Sequence, residues 1–210
     1  MRLHKKIILF GGSFDPIHTG HLRVAHYTLG ELDADELIFI PARRSPHKTD
    51  SPTPEQHRFA MIAKAIDGID GFSVSDCELS RPEPSYTLDT VRFFRDQLGP
   101  DVVLHWLIGA DQLTDLEKWY CVGDLLNECR ISVMVRAGYP LPDFSRFEGF
   151  FSSVRIEQLK GDIIQTPQID LSSTDIRGQL SRGNIFPDAL PPAVLAYITE
   201  HHLYGFDCTK

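Results

Sequence analysis

The 210-residue sequence has no long uncharged apolar run, so nothing in it supplies the roughly 20 apolar residues that a membrane-spanning helix needs. The opening MRLHKKIILFGG sets basic residues before apolar ones, but Ile7 to Phe10 are too few for the apolar region of a secretory signal. The expectation is a cytoplasmic protein with no membrane partner. Positive charge is also short: Lys and Arg number 21 against 29 Asp and Glu, a net charge of −8, the wrong sign for a dedicated nucleic-acid binder. A small anionic ligand in a local basic pocket fits such a balance better. The four cysteines, Cys77, Cys121, Cys129 and Cys208, have no C-x-x-C or other metal-binding spacing and read as free thiols. There is no G-x-x-x-x-G-K-[ST] loop, no G-x-S-x-G elbow and no Cys–His nucleophile pattern. Internal repeats and low-complexity segments are absent too.

What is present gathers between Gly11 and His21, GGSFDPIHTGH. Ile7-Ile8-Leu9-Phe10 before it reads as a strand; Leu22, Ala25, Leu29 and Leu32 after it recur at helical spacing. Gly11 and Gly12 carry no Cβ, so a phosphate or nucleobase can approach the main chain there. His18 and His21 lie three residues apart near the helix start and can point the same way, in the field of unpaired N–H groups and a positive dipole end. The rival is a metal site made with Asp15. No third ligand at fixed spacing is evident and the dipole opposes a cation, so no metal ligand is expected.

Along the chain, Glu36 to Pro41 predicts a second strand and a parallel crossover. Residues 42–50, ARRSPHKTD, hold Arg43, Arg44, His47 and Lys48, either a solvated surface loop or, by its place after a strand, an anion site. Thr53-Pro54-Glu55-Gln56 predicts a helix with Thr53 as N-cap, Pro54 at its first position and Gln56 completing a capping box, followed by scaffold through Ile66 to Gly68. Residues 72–79 suggest a third strand, and a helix runs from Thr87 or Asp89 to Gly99. Just before it, Ser85-Tyr86-Thr87 offers either main-chain N–H groups to a carboxylate or phosphate, or a plain N-cap. Residues 101–108, DVVLHWLI, predict a central strand running into Gly109-Ala110-Asp111, where Asp111 meets a ribose hydroxyl or caps a helix. Trp119-Tyr120 reads first as core, with stacking on a flat ring as the alternative. Residues 130–135 form another strand before Arg136, 140–152 a loop, 154–159 and 163–171 strands or extended pieces, and 191–204 a proline-started helix.

Ser172-Ser173-Thr174-Asp175-Ile176-Arg177 offers three hydroxyls at a helix start and a forked cation, a second anion site. Alone it is a common helix start; with GGSFDPIHTGH at the other end of the chain it is far more specific. The set favours phosphoryl or nucleotidyl transfer by positioning and electrostatic stabilisation.

GGSFDPIHTGH with SSTDIR resembles the (H/T)xGH nucleotidyltransferase superfamily. PARRSPHK at 41–48, SYTLDT at 85–90, IGADQL at 108–113 and Trp119-Tyr120 extend the resemblance, in order over nearly the whole chain, to bacterial nicotinate mononucleotide adenylyltransferases. It implies an α/β fold, a Rossmann-like doubly wound parallel sheet with a small C-terminal helical part. Residues 1–210 would be a single nucleotidyltransferase domain, 172–210 its C-terminal helical subdomain. It further implies ATP and nicotinate mononucleotide as partners, Mg2+ accompanying ATP, and deamido-NAD and pyrophosphate as products. His18, His21 and Arg177 would be catalytic; Gly11, Gly12, Ser13, Phe14, Gly109, Asp111, Ser172, Ser173 and Thr174 would bind ATP. His47, Lys48, Tyr86, Thr87, Trp119, Tyr120 and Arg136 would bind the mononucleotide, with Trp119 on the pyridine ring. The resemblance thus reverses the core-first reading of Trp119. One departure is RAGY at 136–139 where the family has R-P-G-Y, which loosens the basis for Arg136. Nicotinamide mononucleotide or phosphopantetheine as acceptor, and a nucleotide sensor without turnover, are the alternatives; a homo-oligomer is left open. A tRNA-aminoacylating enzyme ranks below these because no extra tRNA-binding domain is visible.

Overall fold

The computed structural model describes residues 4–43, 53–82, 84–136, 140–185 and 188–206; for Arg136 it describes the main chain alone. Six parallel strands form one sheet in the order β3-β2-β1-β4-β5-β6. The strands are β1 (Lys6–Gly12), β2 (Glu36–Pro41), β3 (Phe72–Val74), β4 (Val103–Gly109), β5 (Arg130–Arg136) and β6 (Ile163–Thr166). Between and after them run helices α1 (Thr19–Glu31), α2 (Glu55–Ile66), α3 (Thr87–Leu98), α4 (Ala110–Leu113), α5 (Val122–Glu128), α6 (Ser153–Gly161), α7 (Ser173–Leu180) and α8 (Pro192–Glu200). This is the doubly wound α/β sheet expected, with its order reversing between β1 and β4.

The pleat sends alternate residues into two separate cores. Ile7 and Leu9 of β1 face α3, α5 and α6 through Val91, Leu125 and Ile156, whereas Ile8 and Phe10 face α2, α7 and α8 through Met61, Ile176 and Val194. Ile7, Ile8, Leu9, Leu37, Phe39 and Ile40 are fully buried, each side chain contributing about 1.5–3 kcal/mol to folding. Helices α7 and α8 therefore share with α2 the core on one face of the sheet. Among the described residues no helix is long and apolar enough to cross a membrane. Cys77, Cys121 and Cys129 are free thiols; Cys208 lies outside the described residues.

Several local expectations are corrected. Residues 154–159 are helical, within α6, because Ser152 caps Arg155 N and the buried Ile156 and Leu159 are three apart while Val154 is 75% exposed. Strand β3 ends at Val74, since Leu79 N bonds Asp76 O and the chain turns. Strand β6 stops at Thr166 rather than continuing to 171. Residues 140–152 include a 3-10 turn, Ser145–Phe147, that buries Phe147 completely. Helix α2 is capped by Pro54 with no side-chain bond, and Thr53 instead donates its N–H to Asp15 Oδ2 at 3.2 Å. The C-terminal helix ends at Glu200, and a 3-10 turn, Leu203–Gly205, follows it.

Candidate active site

A cleft of 1420 Å3 opens over the C-terminal ends of β1 and β4, at the reversal of strand order where ligands of doubly wound sheets lie. Pockets for one drug-sized ligand run to about 300–1,000 Å3, so there is room for two nucleotide-sized molecules. It is lined by Gly11, Gly12, Ser13, Phe14, His18 and His21, by Gly109 and Asp111, by Ser172, Ser173 and Thr174 from the side of the sheet that α7 covers, and by Tyr86, Thr87, Trp119 and Tyr120 from the side that α3 covers. Residues separated by more than 150 positions are thus brought to one surface.

The two imidazoles cap α1 reciprocally. His18 Nδ1 accepts from the His21 main-chain N–H at 3.3 Å, His21 Nδ1 accepts from the His18 N–H at 3.3 Å, and the rings stack with centroids 3.7 Å apart. A neutral imidazole has one donor and one acceptor nitrogen, so each ring that accepts at Nδ1 carries its proton at Nε2. His18 is buried, and burial pushes its pKa down to about 4. It is therefore a neutral hydrogen-bond donor near pH 7 in the free protein. Gly20 leaves room for this arrangement: a Cβ there would fall 2.9 Å from His18 Nδ1 and 2.9 Å from Ile169 Cγ2.

At Gly11 and Gly12 the structure adds a second physical reason to the one expected. A Cβ on Gly11 would meet Trp106 at 2.7 Å, and one on Gly12 would meet the Phe14 ring at 2.9 Å. The missing side chains first make space for the protein's own aromatics, which form the cleft floor with them.

At the far end Ser172 caps α7, accepting from Asp175 N at 3.1 Å and donating to Asp175 Oδ2 at 2.6 Å. Ser173 Oγ donates to Pro16 O at 3.0 Å. Both hydroxyls are thereby engaged within the protein, and the helix start offers its main-chain N–H groups. Arg177 is not in the cleft wall; its Nη1 donates to Asp15 O at 2.7 Å and its Nη2 lies 3.5 Å from Thr174 Oγ1.

The opposite end has no side-chain cap. Tyr86 precedes α3 without one, so the Ser85–Thr87 stretch is not the plain N-cap of the alternative reading. Ser85 Oγ is buried in the cleft wall and has no hydrogen-bond partner among the described residues, a polar atom suited to a ligand. Trp119 packs on the core and also lines the cleft. The exposed rings of Tyr86 and Tyr120 stack across the cleft's edge at 4.3 Å. Asp111 is not an N-cap either: Gly109 holds that position for α4. His47 and Lys48 lie outside the described residues, as does the Arg136 side chain.

Sequence reasoning missed Gly20, although it stands inside the motif, and it missed Arg58, assigned to scaffold. Arg58 is fully buried and donates to the carbonyls of Ser13, Ala42, Arg43 and Thr53, knitting the β1 and β2 loops together. A lone arginine on an apolar helix was its only signal.

Comparison with known proteins agrees with this geometry. The cytidylyltransferase-like family model matches residues 9–179. Proteins named probable nicotinate-nucleotide adenylyltransferase are similar throughout: one from Rhodopirellula baltica is 35% identical over 93% of this chain and 92% of its own. One from Neisseria meningitidis is 38% identical over 95% and 98%. The chain belongs to the nicotinate-nucleotide adenylyltransferase family, within the cytidylyltransferase-like group. Among solved structures, the nicotinic acid mononucleotide adenylyltransferase of Plasmodium falciparum complexed with NaAD superposes with a TM-score of 0.73 at 22% identity, covering 97% of this chain and 99% of that one. At that identity the match to this family member concerns the fold.

Proposed function

We propose that this adenylyltransferase transfers AMP from ATP to nicotinate mononucleotide, giving deamido-NAD and pyrophosphate in NAD biosynthesis. The observation that carries the reading is one continuous cleft with an anion-suited helix start at each end, around a pair of imidazoles whose Nε2–H groups are set by reciprocal capping. ATP lies along Gly11 to Phe14, Gly109 and Asp111, with its triphosphate between the His18–His21 pair and the start of α7. Ser172, Ser173 and Thr174 line that end, and Arg177 adds the charge that draws the β and γ phosphates. The pyridine ring stacks on Trp119, and its carboxylate takes main-chain N–H groups near Thr87 and Tyr120, with the Ser85 hydroxyl alongside. Lys48 and Arg136 are assigned to the mononucleotide phosphate, and His47 to the mononucleotide.

The phosphate oxygen of the mononucleotide attacks the α-phosphorus of ATP, a new P–O–P linkage forms, and the bond to the β-phosphate breaks as pyrophosphate departs. The attacking monoester has a second pKa of about 6 and arrives largely ionised, so no general base is required. The protein's task is to align two anions and offset charge on the oxygens of the transferring phosphorus, which neutral Nε2–H donors do in a partly dry site. Among the described residues no three acidic, imidazole or thiol groups converge to hold a metal. Mg2+ that accompanies ATP would thus be carried chiefly by triphosphate oxygens and water.

The test is pyrophosphate release from ATP with nicotinate mononucleotide, nicotinamide mononucleotide or phosphopantetheine as acceptor. The acid form is expected to be preferred, because N–H donors pair with a carboxylate while the amide's own N–H groups are left unpaired. Release that requires phosphopantetheine, or ATP binding without release for any acceptor, would refute the assignment.

A further inference from the structure

The triphosphate end of the cleft is built from the two ends of the chain, and their junction is Asp15. Its carboxylate is buried, and neither oxygen faces a ligand: Oδ1 accepts from the Tyr204 hydroxyl at 2.7 Å and Oδ2 from Thr53 N at 3.2 Å. The Asp15 carbonyl accepts from Arg177 Nη1 at 2.7 Å, one residue before the carbonyl that receives Ser173 Oγ. Tyr204 reaches this point from the last 3-10 turn in a left-handed conformation, φ 59° and ψ 20°, which non-glycine residues adopt only when the surroundings hold them there. Burial and the nearby Asp15 charge raise its pKa, so the hydroxyl stays protonated and remains a donor.

We infer that Tyr204 and Asp15 are a positioning pair for the donor nucleotide: the tyrosine hydroxyl orients Asp15, whose carbonyl sets where Arg177 and the first turn of α7 stand relative to His18 and His21. Neither residue touches substrate. The inference rests on the reading of this end of the cleft as the triphosphate site. Its signature is selective: loss of the hydroxyl weakens ATP and spares the acceptor, because Trp119 and the α3 start lie at the other end of the cleft.

The experiment compares Tyr204→Phe, which keeps the ring and removes one oxygen, with wild type, with Arg177→Ala and with the double variant. In steady-state assays of the full chain, Tyr204→Phe is expected to raise KM for ATP at least fivefold, with KM for nicotinate mononucleotide within twofold of wild type. In the Arg177→Ala background the same change is expected to add less than twofold, since the residue through which it acts is gone. An unchanged KM for ATP, equal weakening of both substrates, or full additivity with Arg177→Ala would overturn the inference; a change confined to the melting temperature would mark Tyr204 as structural. Titration of ATP alone by calorimetry separates this from the functional reading. If wild type binds ATP but releases no pyrophosphate, the proposed reaction fails, and the at least fivefold loss of ATP affinity in Tyr204→Phe still decides the inference. If Tyr204→Phe does not fold, Asp15→Asn is put through the same titration with the same expected loss.

Discussion

His18 holds two roles that can be pulled apart by one substitution. Its Nδ1 caps α1, and its Nε2–H is the donor assigned to phosphate. Asparagine places Oδ1 about where the histidine Nδ1 stands and is among the best N-cap residues, so His18→Asn keeps the bond from His21 N and loses the donor. Alanine loses both. The cap is worth about 1 kcal/mol, and one preorganised donor on developing oxyanion charge is worth about 2.7–4 kcal/mol, or 10²–10³ in kcat. His18→Asn is therefore expected to match wild type in urea unfolding at pH 7.5 to within about 0.5 kcal/mol while kcat falls at least 100-fold. His18→Ala loses a similar factor in kcat and a further ~1 kcal/mol of stability. Pyrophosphate release and equilibrium unfolding on the same preparations check both numbers. Turnover of His18→Asn within threefold of wild type would refute the donor role, and a stability loss as large as alanine's would refute the capping argument.

Gly20→Ala should gain about 1 kcal/mol of helix propensity, yet its Cβ must displace the His18 ring or Ile169. Near-normal melting with kcat down about 100-fold is expected, since displacements of 1 Å at a reacting centre cost that much; normal turnover would show that the ring can move harmlessly. Burial also pushes His105 down to about 4, beside Ser132 at 2.9 Å. Both His18 and His105 are depressed from 6.5 to about 4, so between those pH values the unfolded chain takes up protons that the native state refuses. Their contribution is complete above pH 6.5 and is lost on acidification toward pH 4, roughly 2 kcal/mol each by pH 5. Because burial raises Glu78 and Asp162, which act in the opposite sense, the comparison is with His105→Gln. The variant should lose less stability than wild type between pH 7 and pH 5, and an identical loss would refute the linkage. Trp119→Ala should raise KM for the acceptor about 5- to 160-fold, the range for one ring stacked on an aromatic face, with KM for ATP little changed; equal effects on both would refute the stacking.

How much was legible in the sequence depended on how local the cause was. The strand–turn–helix around GGSFDPIHTGH and the cap at Ser172 are set by residues within a few positions of one another, and both stand where expected. Helix α6 was misread because Val154-Arg155-Ile156-Glu157 alternates like a strand, although Ser152 and the Ile156–Leu159 spacing signal a helix. The bonds that Arg58 and Asp15 make could not be read. Their partners are carbonyls, an amide and a hydroxyl up to 189 positions away, and main-chain groups leave no mark in a sequence. The reciprocal capping was half-visible: two histidines three apart announce a shared direction, but which nitrogen of each is engaged depends on the backbone at His18.

Several contacts that seat the segment from Asp15 to Thr19 come from residues 173–189. Thr19 bonds the carbonyls of Asp188 and Ala189, Pro16 receives Ser173, and Asp15 receives Arg177. During synthesis the glycine turn and both histidines are made well before the segments that close one end of their cleft. A growing chain thus carries the motif for more than 150 residues of synthesis before the surface that completes the cleft is made.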